Sequence, residues 1–137
     1  DAAELFHAVA TGRLDEVAPP EFSGESAVCV VLASQGYPEH PRTGDAIEGL
    51  DGTGQPHGGR DEVIVFHAGT SRPDPQGPFV TAGGRVLDVV AIAPTISDAR
   101  ANAYDTAATI EWDGMQLRHD IAAAAAGSAA RVREGAR

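Results

Sequence analysis

A chain of 137 residues, 42% of them hydrophobic, is long enough for one domain with a modest core and too apolar for a disordered segment. Its formal charge of −10 works against a nucleic-acid or anionic-membrane surface, because both require clustered basic side chains. Aromatic residues make up only 5%, so Val, Ile, Leu and Ala must fill the core.

The opening DAAELFHAVATGRLDEV reads as a short amphipathic helix with Leu5, Phe6 and Val9 on one side, ended by Gly12 and an acidic turn. PPEFSGES is a linker by composition, so residues 1–24 form an opening helix and linker. Residues 25–124 are expected to be the domain proper. Ala27–Ser34, AVCVVLAS, is a continuous apolar, β-branched run and reads as a buried strand. Cys29 within it reads as a small inert core thiol. As the chain's one cysteine it cannot form an internal disulfide, which suits a reducing cytoplasm. Gln35 to Glu62 is dense in Gly and Pro and reads as loop, apart from a short extended piece at AIEGL.

EVIVFHAGT is the second clear strand, SRPDPQGP a proline-rich turn, and FVTAGGRVLDVVAIA one or two further strands. Strand, short turn and strand imply antiparallel pairing. PTISDARANAYDTAATIEW is the strongest helix, with Thr95 as N-cap and Asp98 as its capping partner. Ile96, Ala99, Ala103, Ala107 and Ile110 recur at spacings of three and four as one apolar stripe. EWDGMQLRHDI reads as a turn with short extended pieces, and residues 125–137 as an Ala/Arg-rich tail, helical or frayed. No apolar run approaches the roughly 20 residues of a membrane helix and no secretory leader is evident, so a soluble cytoplasmic protein is expected. All ten basic residues are arginine, a bias suggesting a GC-rich bacterial genome.

Most chemical signatures fail. His7, His40, His57, His67 and His119 show no H-x-x-x-H spacing, and Cys29 stands alone, so no metal site is expected. DGTGQPHGG offers G-x-G but follows no strand and opens no helix. No G-x-S-x-G elbow exists, and Ser34 and Ser71 lack an activating context; no catalytic residue is assigned. Two places stand apart. FHAGT ends a strand in His, Gly and Thr, and TAGGRVL opens one with two glycines and a cation. Glycine there marks a bulge, a bend or a close backbone approach, and the arginine beside it either meets a ligand or pairs with a carboxylate. The candidate binding residues are His67, Gly69, Thr70, Gly83, Gly84 and Arg85.

The ordered series AVCVVLASQGYP, IEGLD, VIVFHAGT, FVTAGGRVLDVVAIAPT, ARANAYDTAATIEWDGM and LRHDI resembles the C-terminal domain of phosphoribosylamine–glycine ligase, also called glycinamide ribonucleotide synthetase. The resemblance runs from about Leu5 to Ile121. It implies an α+β fold with an antiparallel half-barrel or sandwich-like sheet and flanking helices. It also implies ATP-dependent joining of glycine to 5-phosphoribosylamine in de novo purine synthesis, through a glycyl phosphate. ATP and magnesium would be bound by an upstream ATP-grasp domain, and the partners would be that domain and the amino-terminal domain of the same protein. The sequence departs from the family pattern at Arg42-Thr43-Gly44, where a lysine is common, and in a longer, glycine-rich DGTGQPHGGR loop. Two rival readings are a stand-alone, non-catalytic domain binding a phosphosugar or a partner, and the closing domain of another ATP-grasp enzyme such as a biotin-dependent carboxylase. The motifs disfavour the second of these.

Overall fold

The computed structural model describes residues 1–127; the end of the expected Ala/Arg-rich tail, residues 128–137, lies outside them. The elements follow in chain order: α1 (Ala2–Ala10), a 3-10 turn (Leu14–Glu16), β1 (Ser26–Ala33), β2 (Val63–His67), β3 (Thr70–Ser71), β4 (Val80–Thr81), β5 (Arg85–Ala93) and α2 (Ile96–Ala107). β5 lies at the centre of a three-stranded antiparallel sheet of order β1-β5-β2, and β3 pairs with β4 in a second, two-stranded sheet. The expected α+β, antiparallel architecture with flanking helices is what the chain adopts.

Strand alternation decides which side becomes core. Val28, Val30 and Leu32 of β1 stand level with Ala91, Val89 and Leu87 of β5, while Val63 and Val65 of β2 meet Ala91 and Val89 from the other side. All eight are buried. α2 packs on this face with its stripe of Ala99, Ala103 and Ala107, whose missing bulk lets the helix approach closely. Ile110 and Trp112 continue the core beyond the helix.

Thr95 caps α2 as the sequence implies: its hydroxyl oxygen accepts from the Asp98 N–H at 3.1 Å and donates to the Asp98 carboxylate at 2.7 Å. The helix ends sooner than the sequence run suggests. Thr109 turns its hydroxyl back onto the Thr106 carbonyl at 2.8 Å, and Glu111 pairs instead with Glu48 in the expected extended piece around Ala46–Leu50.

Two expectations are corrected. β1 is not buried on both sides: its burial alternates, and Cys29 lies on the exposed face rather than in the core. Partial burial, and secondarily the Asp88 carboxylate, raise its thiol pKa above the ordinary range. The opening helix forms, with Asp1 capping the Ala3 N–H, but its apolar side does not reach the core. Phe6 and Val9 remain exposed, as does Phe22 in the linker, and only Ala8 is buried. The spacing of apolar residues tells which side of a helix is greasy, not whether a surface is present to meet it.

Candidate functional site

β2–β3 and β4–β5 behave as two strands that bend together. The bend falls at Ala68–Gly69 on one side and Ala82–Gly84 on the other. The Ala68 and Gly69 N–H groups both donate to the Val86 carbonyl, and the Ala82 N–H donates to the Gly69 carbonyl at 2.7 Å. The backbones touch here, which is why glycine is required: a Cβ on Gly69 would strike the Arg85 carbonyl oxygen, and one on Gly83 would crowd the Gly69 Cα at 3.3 Å.

The loop after β1 closes over this bend. Buried Ser34 donates its hydroxyl to the Gly83 carbonyl at 2.8 Å and its N–H to the Gly84 carbonyl at 2.9 Å. The following Gln35–Pro41 turn carries a cis Tyr37–Pro38 peptide and lays the Tyr37 ring against Gly84. A Cβ on Gly84 would overlap that ring. The two glycines of TAGGRVL therefore serve close approach by the protein's own Gly69 and Tyr37.

What remains open is a hollow of ≈ 520 Å³ walled by the Tyr37–Pro38 turn, Gly69 and the Ala82–Arg85 segment. Among the described residues neither the Gly83 nor the Gly84 N–H finds an acceptor. Arg85, exposed at the mouth, forms no ion pair or side-chain hydrogen bond there. Every other arginine among the described residues is engaged. Arg13 meets Thr11, Arg42 bridges Asp45 and Asp113, Arg60 holds Asn102, Arg72 and Arg100 bind carbonyls, and Arg118 grips Asp120 with both ends of its fork. Arg42 and Arg118 are held above the ordinary guanidinium pKa by those carboxylate hydrogen bonds. Among the described arginines, only Arg85 offers a planar cationic fork with nothing in it.

The structure thus gathers Gly69, Gly83, Gly84 and Arg85 on one rim, and leaves His67 and Thr70 off it. His67 is saturated: Nε2 lies 2.9 Å from the Gly54 carbonyl, which can only accept, and Nδ1 lies 2.8 Å from the Thr70 hydroxyl. Its ring also meets Phe79 at 4.7 Å. The pair staples the 51–56 loop to the strand end. Sequence reasoning missed Tyr37 and Ser34; the available signal was the Gly-Tyr-Pro turn directly after a strand.

Residues 27–124 match the family model described as phosphoribosylglycinamide synthetase, C domain. Over 121 residues the chain is 48% identical to a phosphoribosylamine–glycine ligase of Leifsonia xyli, covering 88% of this chain and 28% of that protein. It is 46% identical over 129 residues to the enzyme of that name from Streptomyces coelicolor, covering 92% and 29% respectively. The crystal structure of a phosphoribosylamine–glycine ligase from Thermotoga maritima is similar with a TM-score of 0.67 and 34% identity, across 85% of this chain and 27% of that one. The chain therefore spans a little over a quarter of the length of these relatives.

Proposed function

The chain belongs to the phosphoribosylglycinamide synthetase C-domain family. On that premise we propose that it is the C-terminal portion of an ATP-dependent ligase joining glycine to 5-phosphoribosylamine, with the Gly83–Arg85 rim receiving the phosphate of the sugar. In this reading the glycine carboxylate takes a phosphoryl group from ATP, and the sugar amine attacks the resulting acyl carbon. Phosphate leaves as the amide forms, and the amine gives up a proton. ATP and magnesium belong to residues upstream of the matched region; among the described residues no group of three or more His, Cys, Asp or Glu is placed to hold an ion. No helix among them is long and apolar enough to cross a membrane, and the reading places the protein in the cytoplasm.

The observation that carries the assignment is the unpaired Arg85 beside two unbonded glycine N–H groups in an open hollow. A phosphate monoester fits both: the guanidinium takes two oxygens, and the neighbouring main-chain N–H groups supply a donor for a third. This chain has no phosphoryl-transfer template of its own in the reading, so alone it should form no ADP from ATP, glycine and phosphoribosylamine.

The test is a graft of this chain in place of the matching part of the Leifsonia ligase. Arg85→Ala should lower kcat/KM for phosphoribosylamine about 10- to 100-fold, the value of one charge-assisted hydrogen bond of roughly 1.5–3 kcal/mol. The KM for ATP should hold, and so should the melting temperature, because Arg85 supports nothing structural. Unchanged kinetics for the sugar substrate with a lowered melting temperature would show Arg85 to be structural and the rim misassigned.

A further inference from the structure

Two hollows meet at the bend, and the residues common to both are Tyr37 and Arg85. On one side lies the ≈ 520 Å³ hollow of the candidate rim, lined by Gly69 and the Ala82–Gly84 segment. On the other lies a hollow of ≈ 360 Å³ lined by Val31, Ala33 and Leu117, with Gln116 and Arg118 beside them. Tyr37 therefore stands where a polar, main-chain surface gives way to an apolar one.

The ring is fixed in place and its hydroxyl is unused. Its Cδ2–Cε2 edge lies over Gly84, with Pro41 close by. The loop that carries it is tied at both ends. The Ser34 carbonyl accepts from the Tyr37 N–H at 3.2 Å, the Gly36 carbonyl from the His40 N–H at 2.9 Å, and the Gln35 carbonyl from the Arg42 N–H at 2.9 Å. Arg42 then anchors the far end through Asp45 and Asp113. The ring is nonetheless 41% exposed, and among the described residues its hydroxyl has no hydrogen-bond partner. Tyr104, by contrast, spends its hydroxyl on the Arg118 carbonyl and the Ile121 N–H.

An aromatic ring already held rigid loses little freedom when a ligand settles on it. A phenol offers an apolar face with a polar tip, and a pentose is built to match, with C–H groups on its face and hydroxyls at its edge. A phosphate seated at Gly83–Arg85 leaves the carbon body of its ester beside Tyr37. We infer that Tyr37 is the sugar-binding residue of this site: its ring packs on the pentose, and its hydroxyl bonds a sugar hydroxyl. The site would then select a phosphorylated sugar over a bare phosphate monoester. The inference rests on the reading of the Gly83–Arg85 rim as the phosphate seat.

The test sets two probes against phosphoribosylamine as competitive inhibitors of the Leifsonia graft. Ribose 5-phosphate carries phosphate and sugar, and methyl phosphate carries the phosphate alone. Tyr37→Phe keeps the ring over Gly84 and removes the hydroxyl. It should weaken ribose 5-phosphate about two- to tenfold, the value of one neutral hydrogen bond, and leave methyl phosphate and the KM for ATP unchanged. Tyr37→Leu, which also removes the ring, should weaken ribose 5-phosphate further. Arg85→Ala should weaken both probes. Tyr37→Phe that changes neither probe, or weakens both alike, overturns the inference; if Arg85→Ala still weakens both, the rim reading stands without it. If Arg85→Ala changes neither while Tyr37→Phe weakens ribose 5-phosphate, the rim reading fails and the sugar contact stands. Should the graft not fold, both probes are titrated into this chain and followed by NMR. Gly83 and Gly84 N–H signals that move with both probes, and Tyr37 ring signals that move with ribose 5-phosphate alone, support the inference. Tyr37 signals that move with neither probe, or with both alike, overturn it.

Discussion

The two faces of the β1-β5-β2 sheet use the same kinds of residue and meet opposite surroundings. Val30, Leu32, Val65 and Val89 lie under α2 at 2% exposure or less. One residue along each strand, Val31, Ile64, Phe66 and Val90 point away from it. The inner face has its partner within the domain and supplies the burial that offsets chain entropy. The outer face contributes little to folding the domain. A hydrophobic residue in a strand therefore does not by itself say which face of the sheet the core will claim.

Substitution on the two faces sharpens that contrast. Leu32→Ala should destabilise the domain by about 2–5 kcal/mol, a large share of a typical domain's stability, as measured by urea unfolding. Ile64→Ala, on the same sheet, should cost about 0.5 kcal/mol or less while the isolated chain becomes more soluble. Equal losses would mean that the outer face is folded into the domain core. At the bend, Gly84→Val must displace the Tyr37 ring and should cost about 1–3 kcal/mol, whereas Gly24→Val, with nothing near its Cβ position, should leave the melting temperature unchanged. Thr95→Ala removes the cap of the helix that covers the inner face and should cost about 1 kcal/mol, with helix signals lost first near Ile96.

The smallest effect is a pH dependence away from both faces. Hydrogen bonds from the Thr53 hydroxyl and then from the Gln55 and Thr53 N–H groups lower the Asp51 pKa. A carboxylate with a lowered folded-state pKa contributes stability above its unfolded value and loses it as pH falls through the folded one. Amide exchange at Thr53 and Gln55 should therefore quicken in acid before the sheet opens. No change below the ordinary aspartate range would contradict this.

The sequence shows the strands, the capped helix and the glycine-marked bend clearly, because each has a local signal: β-branched runs, a Thr-x-x-Asp cap, paired glycines. The sidedness of β1 was not legible, since an unbroken apolar run is the same string whether both faces are buried or one awaits a partner. Nor could the sequence show which of six candidate residues face one hollow. His67 is spent on Gly54, a residue thirteen positions away in a loop of no visible pattern, while Arg85 is left without a partner. Both facts are decided by tertiary contacts. The roles of Ser34 and Tyr37 likewise depend on the loop folding back across the bend.

The most direct measurement is a crystal structure of the grafted ligase with its product, glycinamide ribonucleotide. The account predicts the product's phosphate at the rim, two oxygens within about 3 Å of the Arg85 guanidinium and another within reach of the Gly83 or Gly84 N–H. A phosphate held wholly by other domains, with Arg85 in solvent or drawn to an upstream carboxylate, would contradict it.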